Sequence, residues 1–258
     1  MSVFRYAIAR KLGATFSDGL TTANLGKPEL ATALKQHDAY CSALRQCGLE
    51  VTVLEADPGY PDSTFVEDTA VLTSKSAVIT NPGADSRKGE VVEISTVLSK
   101  FYKKIDTIES PGTVDGGDIC EAGCCFFIGI SDRTNEEGGR QLARMLAKED
   151  YGTVFVDIRG MENLLHLKSG IAYLGDDTLV LIDVLAHRPE FKEYNIMRVK
   201  PEENYAANCV RVNDYVILAE GYPQFKKTVE LRGYQVISLN MSEFQKMDGG
   251  VSCLSLRF

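Results

Sequence analysis

The stretch DICEAGCCFFIGISDRTNEEGGRQLARMLAKEDYGTVFVD, residues 118–157, holds one complete structural unit. Asp118–Cys120 and Cys124–Ile128 are apolar runs separated by Glu121–Gly123, and they read as a hairpin. Asn135–Lys148 carries helical spacing, and Thr153–Asp157 alternates like a strand. The order is hairpin, helix, strand. Upstream, Val66–Thr73 and Ser76–Thr80 form a second hairpin, with a helix over Val91–Lys104. Downstream, His166–Leu174 and Leu179–Ile182 turn through Gly175–Asp177, and Asn208–Val212 and Tyr215–Ala219 turn through Asn213–Asp214. A helix over Pro223–Arg232, stopped by Gly233, and a strand Gln235–Leu239 follow. At the N-terminal end lie a strand Val3–Ala9, a helix Pro28–Cys47 and a strand Val51–Glu55. In that helix Leu30, Ala33, Leu34, His37, Cys41, Leu44 and Cys47 recur at helical spacing. Pro28 suits its first turn and Gly48 its stop. Ser242–Gln245 reads as a capping box on a last short helix, and Val251–Arg257 as a closing strand. The rhythm recurs about five times at roughly 40–55 residues, which predicts a propeller or another closed pseudo-symmetric array. A doubly wound open sheet alternates similarly, but no Gly-x-Gly-x-x-Gly follows the first strand and there is no phosphate loop.

The chain has 258 residues, long for one average domain and short for two. Closed α/β folds reach about 250 residues as one unit, so the length fits the array. Lys and Arg number 28 against 36 Asp and Glu, a net charge of −8. That argues against a nucleic-acid partner, which usually meets a basic domain. It is mildly compatible with a cationic substrate, although acidity for solubility is the commoner reason for such a balance. No apolar run approaches the roughly 20 residues of a membrane span, and MSVFRYAIARKLG contains no cleavable apolar region. A cytoplasmic protein without membrane contact is expected. The seven cysteines are then expected to be reduced thiols. Any Cys–His chemistry must choose among His37, His166 and His187.

Three segments place polar residues inside apolar context. In Pro61–Leu72, Glu67 and Asp68 are adjacent acids at the head of an apparently buried strand. They are either a strand end reaching solvent or a paired anionic clamp, because a buried carboxylate needs a partner. In Val114–Ile119, two glycines separate Asp115 from Asp118, giving either a polar turn or room for a ligand. In Leu164–Ser169, His166 sits between leucines, as a core histidine or a catalytic one. Among the thiols, Cys41 and Cys47 fall on the apolar face of the first helix. Cys120, Cys124 and Cys125 lack the spacing of a structural zinc site. Cys253 follows Asp248-Gly249-Gly250-Val251-Ser252, a glycine-rich approach suited to an exposed thiol.

Taken in order, these segments resemble the dimethylarginine dimethylaminohydrolase family of the pentein, or guanidine-modifying, superfamily. The resemblance rests on Phe65-Val66-Glu67-Asp68, Ser86-Arg87, Asp115-Gly116-Gly117-Asp118 and Arg133-Thr134-Asn135. It continues through Leu165-His166-Leu167-Lys168-Ser169, Asn208-Cys209 and Ser242-Glu243-Phe244 to Ser252-Cys253. Val114 stands where relatives often carry leucine. The resemblance implies one domain over residues 1–258, a five-bladed α/β propeller of ββαβ units. It implies hydrolysis of Nω-methylated arginines to citrulline and methylamines. Cys253 is then the nucleophile, His166 the general acid/base and Asp115 the carboxylate orienting it. Glu67 and Asp68 hold the guanidinium with Phe65 beside it, and Arg87 and Arg133 take the substrate carboxylate. Asp62, Asp248 and the carbonyls of Leu20 and Met247 lie near the α-amino end. The Leu20 match is loose.

The implied chemistry needs these groups. Two carboxylates replace the water around a guanidinium by charge-assisted hydrogen bonds. A thiolate is the suitable nucleophile for so poor an electrophile. Its attack reduces the charge of the cation, so no oxyanion hole is required. No cofactor and no metal are expected. Zinc is an incidental ligand of Cys253, if that thiol has a low pKa. A homodimer is a possible assembly. The alternatives are a sister pentein acting on arginine or another guanidine, such as an arginine deiminase-like enzyme, a catalytically silent binding protein, and a redox-regulated protein.

Overall fold

The computed structural model describes residues 3–162 and 164–258. Strand β1 (Tyr6–Arg10) is followed by helix α1 (Leu30–Gln46) and by β2 (Glu50–Leu54), parallel to β1. The hairpin of β3 (Ala70–Leu72) and β4 (Ala77–Ile79) leads through α2 (Val91–Leu98) to β5 (Ile105–Thr107), parallel to β4. β6 (Ile119–Ala122), β7 (Cys125–Ile130), α3 (Glu136–Ala147) and β8 (Gly152–Asp157) repeat the pattern. So do β9 (Ile171–Gly175), β10 (Thr178–Ile182), the short α4 (Asp183–Ala186) and β11 (Asn195–Val199). The last full unit is β12 (Val210–Val212), β13 (Tyr215–Ala219), α5 (Pro223–Leu231) and β14 (Gln235–Leu239). After α6 (Ser242–Gln245), β15 (Leu256–Arg257) pairs antiparallel with β1, Ile8 opposite Leu256. The result is five three-stranded sheets, each one antiparallel and one parallel pair. The fold is therefore the predicted propeller of five ββαβ blades, with the last strand completing the first blade.

Period-2 alternation sends successive residues of each middle strand to opposite neighbours. From β1, Ala7 packs with Ile217 and Ala219 of β13, while Ile8 packs with Ala77 and Ile79 of β4. From β7, Phe126 and Ile128 join Val78 of β4, while Phe127 joins Leu179 and Leu181 of β10. The core is thus a ring of apolar clusters between blades. Side chains cap two of the crossover helices. Glu29 accepts from the amides of Ala31 and Thr32, and Asn135 from that of Gly138.

Several expected strands begin late. Val66–Thr69, Gly116–Asp118, Leu167–Ser169 and Pro201–Ala207 are 3₁₀ turns that precede β3, β6, β9 and β12. The closing strand shrinks from Val251–Arg257 to Leu256–Arg257, and the helix from Val91 ends at Leu98. The sequence pattern also passed over β5, α4 and β11. The reason for the late strands lies in the site. The turns at Val66–Thr69, Gly116–Asp118 and Leu167–Ser169 give their amides or side chains to bonds with the neighbouring blade.

Candidate active site

The first residues of the five blades are joined in one hydrogen-bonded circuit around the axis. The Glu67 amide donates to the Cys253 carbonyl at 3.1 Å. The Gly117 amide donates to Asp68 Oδ1 at 2.8 Å, and the Leu167 amide to Asp118 Oδ1 at 2.9 Å. Asn208 Nδ2 donates to the Lys168 carbonyl at 2.9 Å, and the Ser252 amide to Asn208 Oδ1 at 3.0 Å. Gly116 and Gly117 are needed for this closeness. A Cβ at Gly116 would meet the Glu67 carbonyl at 2.0 Å, and one at Gly117 the His166 ring at 2.9 Å.

On one side of this circuit lies a narrow cleft of about 30 Å³. It brings together Leu20, Asp62, Phe65, Asp68, Arg87, Asp115, Arg133, His166, Met247, Asp248 and Cys253, with Leu165 and Gly249 between them. His166 Nε2 lies 3.1 Å from Asp115 Oδ2, and Asp115 is 1% exposed. Burial alone would lower the imidazole pKa. Asp68, Asp118 and Asp115 outweigh it and raise the value to about 9, so His166 is a cation at neutral pH. Asp68 is held below the ordinary carboxylate range. Burial opposes this, but His166, Arg87 and the Gly117 amide prevail. Asp118 is pushed the other way, to about 6, by burial that His166 and Ser131 only partly offset.

Cys253 is half-buried at the cleft floor, and the Gly250 amide points at its Sγ from 3.4 Å. Burial first, then the charges of Glu67 and Asp68, push its thiol up to about 12. The low-pKa thiolate expected from sequence is therefore absent at rest. Atoms of Asp68, Asp115 and His166 lie within 4.8 Å of one another, close enough for a metal. Their donors are already engaged. Arg87 Nη1 lies 2.6 Å from Asp68, and a second cation there would be repelled.

Two expected substrate ligands are placed differently. Glu67 does not line the cleft. Its carboxylate meets Lys168 Nζ at 2.7 Å, Arg257 Nη2 at 3.2 Å and the Ser252 hydroxyl at 2.8 Å. These groups line a cavity of about 610 Å³ on the other side of the circuit, whose walls contain no histidine. Arg87 does reach the cleft, but Nε and Nη2 are bound to Glu90, and Nη2 also to the carbonyls of Asp62 and Phe65. Arg133, by contrast, pairs with no carboxylate among the described residues. Both oxygens of Asp62 accept from the Leu20 amide, and Asp248 Oδ2 accepts from the amide and hydroxyl of Thr22. Phe65 packs against Phe16 and Phe244. Sequence reasoning left Asp118, Lys168, Asn208, Ser252 and Arg257 without a role. Asp118, Lys168, Asn208 and Ser252 lie within or beside the matched motifs, which was the available signal.

A thiol, a carboxylate-held imidazolium and a buried carboxylate at the axis of five ββαβ blades define a pentein of the guanidine-modifying kind. The family model for N,N dimethylarginine dimethylhydrolase, eukaryotic, matches residues 21–255. The N(G),N(G)-dimethylarginine dimethylaminohydrolase of Pseudomonas aeruginosa is 46% identical, over 99% of this chain and 100% of its own. The chain belongs to the dimethylarginine dimethylaminohydrolase family. A solved structure of the P. aeruginosa protein, a Cys-to-Ser mutant complexed with citrulline, superposes with a TM-score of 0.96 at 45% identity, covering 100% of both chains. A crystal structure of a His-to-Gly dimethylarginine dimethylaminohydrolase, an adduct with S-methyl-L-thiocitrulline, gives 0.96 at 46% identity, over 99% of this chain and 100% of that one.

Proposed function

We propose that this protein hydrolyses Nω-methylated arginines to citrulline and a methylamine. The observation that carries the reading is the meeting of Cys253, the His166–Asp115 pair and Asp68 in one cleft. The citrulline complex and the thiocitrulline adduct of the family members support it.

The resting charges suit this chemistry. Without ligand, Cys253 is a neutral thiol and His166 an imidazolium. A guanidinium entering beside Asp68 brings positive charge to a thiol held protonated by burial and by carboxylates. It thereby favours the thiolate where and when it is needed. The thiol proton leaves to solvent, and Sγ bonds to the guanidinium carbon. The carbon–nitrogen bond to the methylated nitrogen breaks as His166 protonates the departing amine. His166, now neutral, takes a proton from water, and the hydroxide adds to the same carbon. The carbon–sulfur bond then breaks as the adduct's hydroxyl proton passes to the departing sulfur, freeing citrulline and restoring the Cys253 thiol. Asp115 keeps the imidazole oriented and favours its charged form.

For the rest of the substrate, Arg133, which pairs with no carboxylate among the described residues, is the carboxylate ligand, assisted by the remaining Nη1 hydrogen of Arg87. Asp62, Asp248 and the carbonyls of Leu20 and Met247 surround the α-amino end, with Phe65 along the aliphatic stem. Glu67 acts from behind the floor by its charge on Cys253.

The test supplies asymmetric dimethylarginine, monomethylarginine and arginine in parallel, and measures citrulline and released amine. Citrulline with dimethylamine from the first is the expected result. Citrulline from arginine alone moves the protein to the deiminases, and no citrulline from any of them leaves a binding protein.

A further inference from the structure

Asn208 takes no part in the chemistry above, yet its amide is held by three hydrogen bonds behind the nucleophile. It is 6% exposed. Nδ2 donates to the Lys168 carbonyl at 2.9 Å and to Ser252 Oγ at 3.1 Å, while Oδ1 accepts from the Ser252 amide at 3.0 Å. It therefore clamps the residue preceding Cys253 at both its amide and its hydroxyl. That hydroxyl passes the contact on to Glu67. The same Oδ1 lies close against the glycine-rich approach, since a Cβ at Gly250 would stand 2.4 Å from it, so position 250 admits only glycine there, and the Gly250 amide reaches Cys253 Sγ at 3.4 Å. Nδ2 itself lies 4.0 Å from Sγ.

We infer that Asn208 is a positioning residue of the reaction, fixing the Gly250–Cys253 turn so that Sγ faces the cleft with the Gly250 amide beside it. The inference rests on the reading of Cys253 as nucleophile. Asn208 does not line the cleft, so its loss acts on turnover and not on substrate binding. A thiolate that loses its N–H donors becomes harder to form, because hydrogen bonding to the charged form is what favours it.

The experiment compares Asn208→Ala and the near-isosteric Asn208→Asp with the unaltered protein. Aspartate keeps the acceptor for the Ser252 amide and replaces both donors with a negative charge. Two readouts are used. Steady-state kinetics on asymmetric dimethylarginine separate kcat from KM. The pH dependence of Cys253 alkylation by iodoacetamide, followed by peptide mass, reports thiolate formation without any turnover. In both variants kcat is expected to fall by about 10²-fold, the scale of an ångström of misplacement, with KM within about threefold. The alkylation profile moves to higher pH, further for Asn208→Asp than for Asn208→Ala. Unchanged kcat and an unchanged alkylation profile in either folded variant overturn the inference. So does a rise in KM at constant kcat, and so does a lower melting temperature with both readouts at their original values. Failure of the unaltered protein to release citrulline overturns the nucleophile reading instead, and the alkylation profiles still decide whether Asn208 governs the thiol.

Discussion

The two faces of the axial circuit are built from neighbouring residues and do opposite things. Asp68 faces the cleft and Glu67 the cavity behind it. Asp115 is paired in this way with Gly116, His166 with Lys168, and Cys253 with Ser252. In the cleft the charges are arranged to change. A raised imidazole pKa, a raised thiol pKa and a carboxylate next to both leave protons to be moved. Behind the floor the charges are neutralised. Glu67 meets two cations and a hydroxyl, and Arg257 is further tied to the Ser252 and Ser255 carbonyls. The comparison shows why a tight 3₁₀ turn is useful here. At Glu67 and Asp68 it sends consecutive side chains to opposite sides of a thin wall, while the Glu67 amide bonds to the Cys253 carbonyl of the next blade.

The sharpest break of this contrast is at the nucleophile. Cys253→Ser is expected to abolish citrulline formation, because a hydroxyl in this site has no base strong enough to activate it. Near-normal turnover sinks the mechanism. His166→Ala comes next, with kcat down by about 10²–10⁴-fold, the range of a positioned acid/base. The adjacent acids then separate the two faces directly. Asp68→Asn lowers kcat/KM by about 10²–10³-fold, as when a buried charge pair loses a partner. Glu67→Gln instead lowers stability by about 3–5 kcal/mol, read by denaturant titration, because Lys168 and Arg257 lose their carboxylate. Its KM stays within about threefold if Glu67 truly acts from behind, and a KM rise equal to that of Asp68→Asn would put Glu67 in the substrate's shell.

The pH profile follows. The folded-state value of His166 is raised above the ordinary one, so the imidazolium persists through neutrality and is lost as pH rises through about 9. In the complex, where the bound guanidinium favours the Cys253 thiolate, kcat falls by about tenfold per pH unit beyond that point. In His166→Ala that limb disappears. The smallest effect is at the tip of the β6–β7 hairpin, where Cys124 is exposed and lines neither the cleft nor the cavity. Cys124→Ser leaves kcat/KM unchanged and shifts stability by no more than about 0.5 kcal/mol.

Much of this was legible in the chain. The hairpin–helix–strand rhythm predicted a closed array, because period-2 and period-3.6 patterns are local. The motif order placed Cys253, His166 and Asp115 as one set before any distance was known. The misjudged elements share a cause. Val66–Thr69 and Leu167–Ser169 look like strand starts, since apolar residues flank them. Their geometry is set by partners about 50 residues away, such as Gly117 for Asp68 and Asp118 for the Leu167 amide. The role of Asn208 was invisible for the same reason. Its partners, Lys168 and Ser252, are far from it in sequence.

The sequence by itself determined which residues are available for catalysis and in what order, because residue type and spacing are properties of the chain alone. It also determined the blade rhythm, because alternation encodes which face of a strand is buried. Only the tertiary structure decided which side of the axial wall each side chain meets. It separated Asp68 from Glu67, bound Arg87 into the wall and left Arg133 without a carboxylate partner among the described residues. It also turned the expected thiolate into a resting thiol. Charge environments depend on through-space distance and burial, and neither is written in the spacing of residues along the chain.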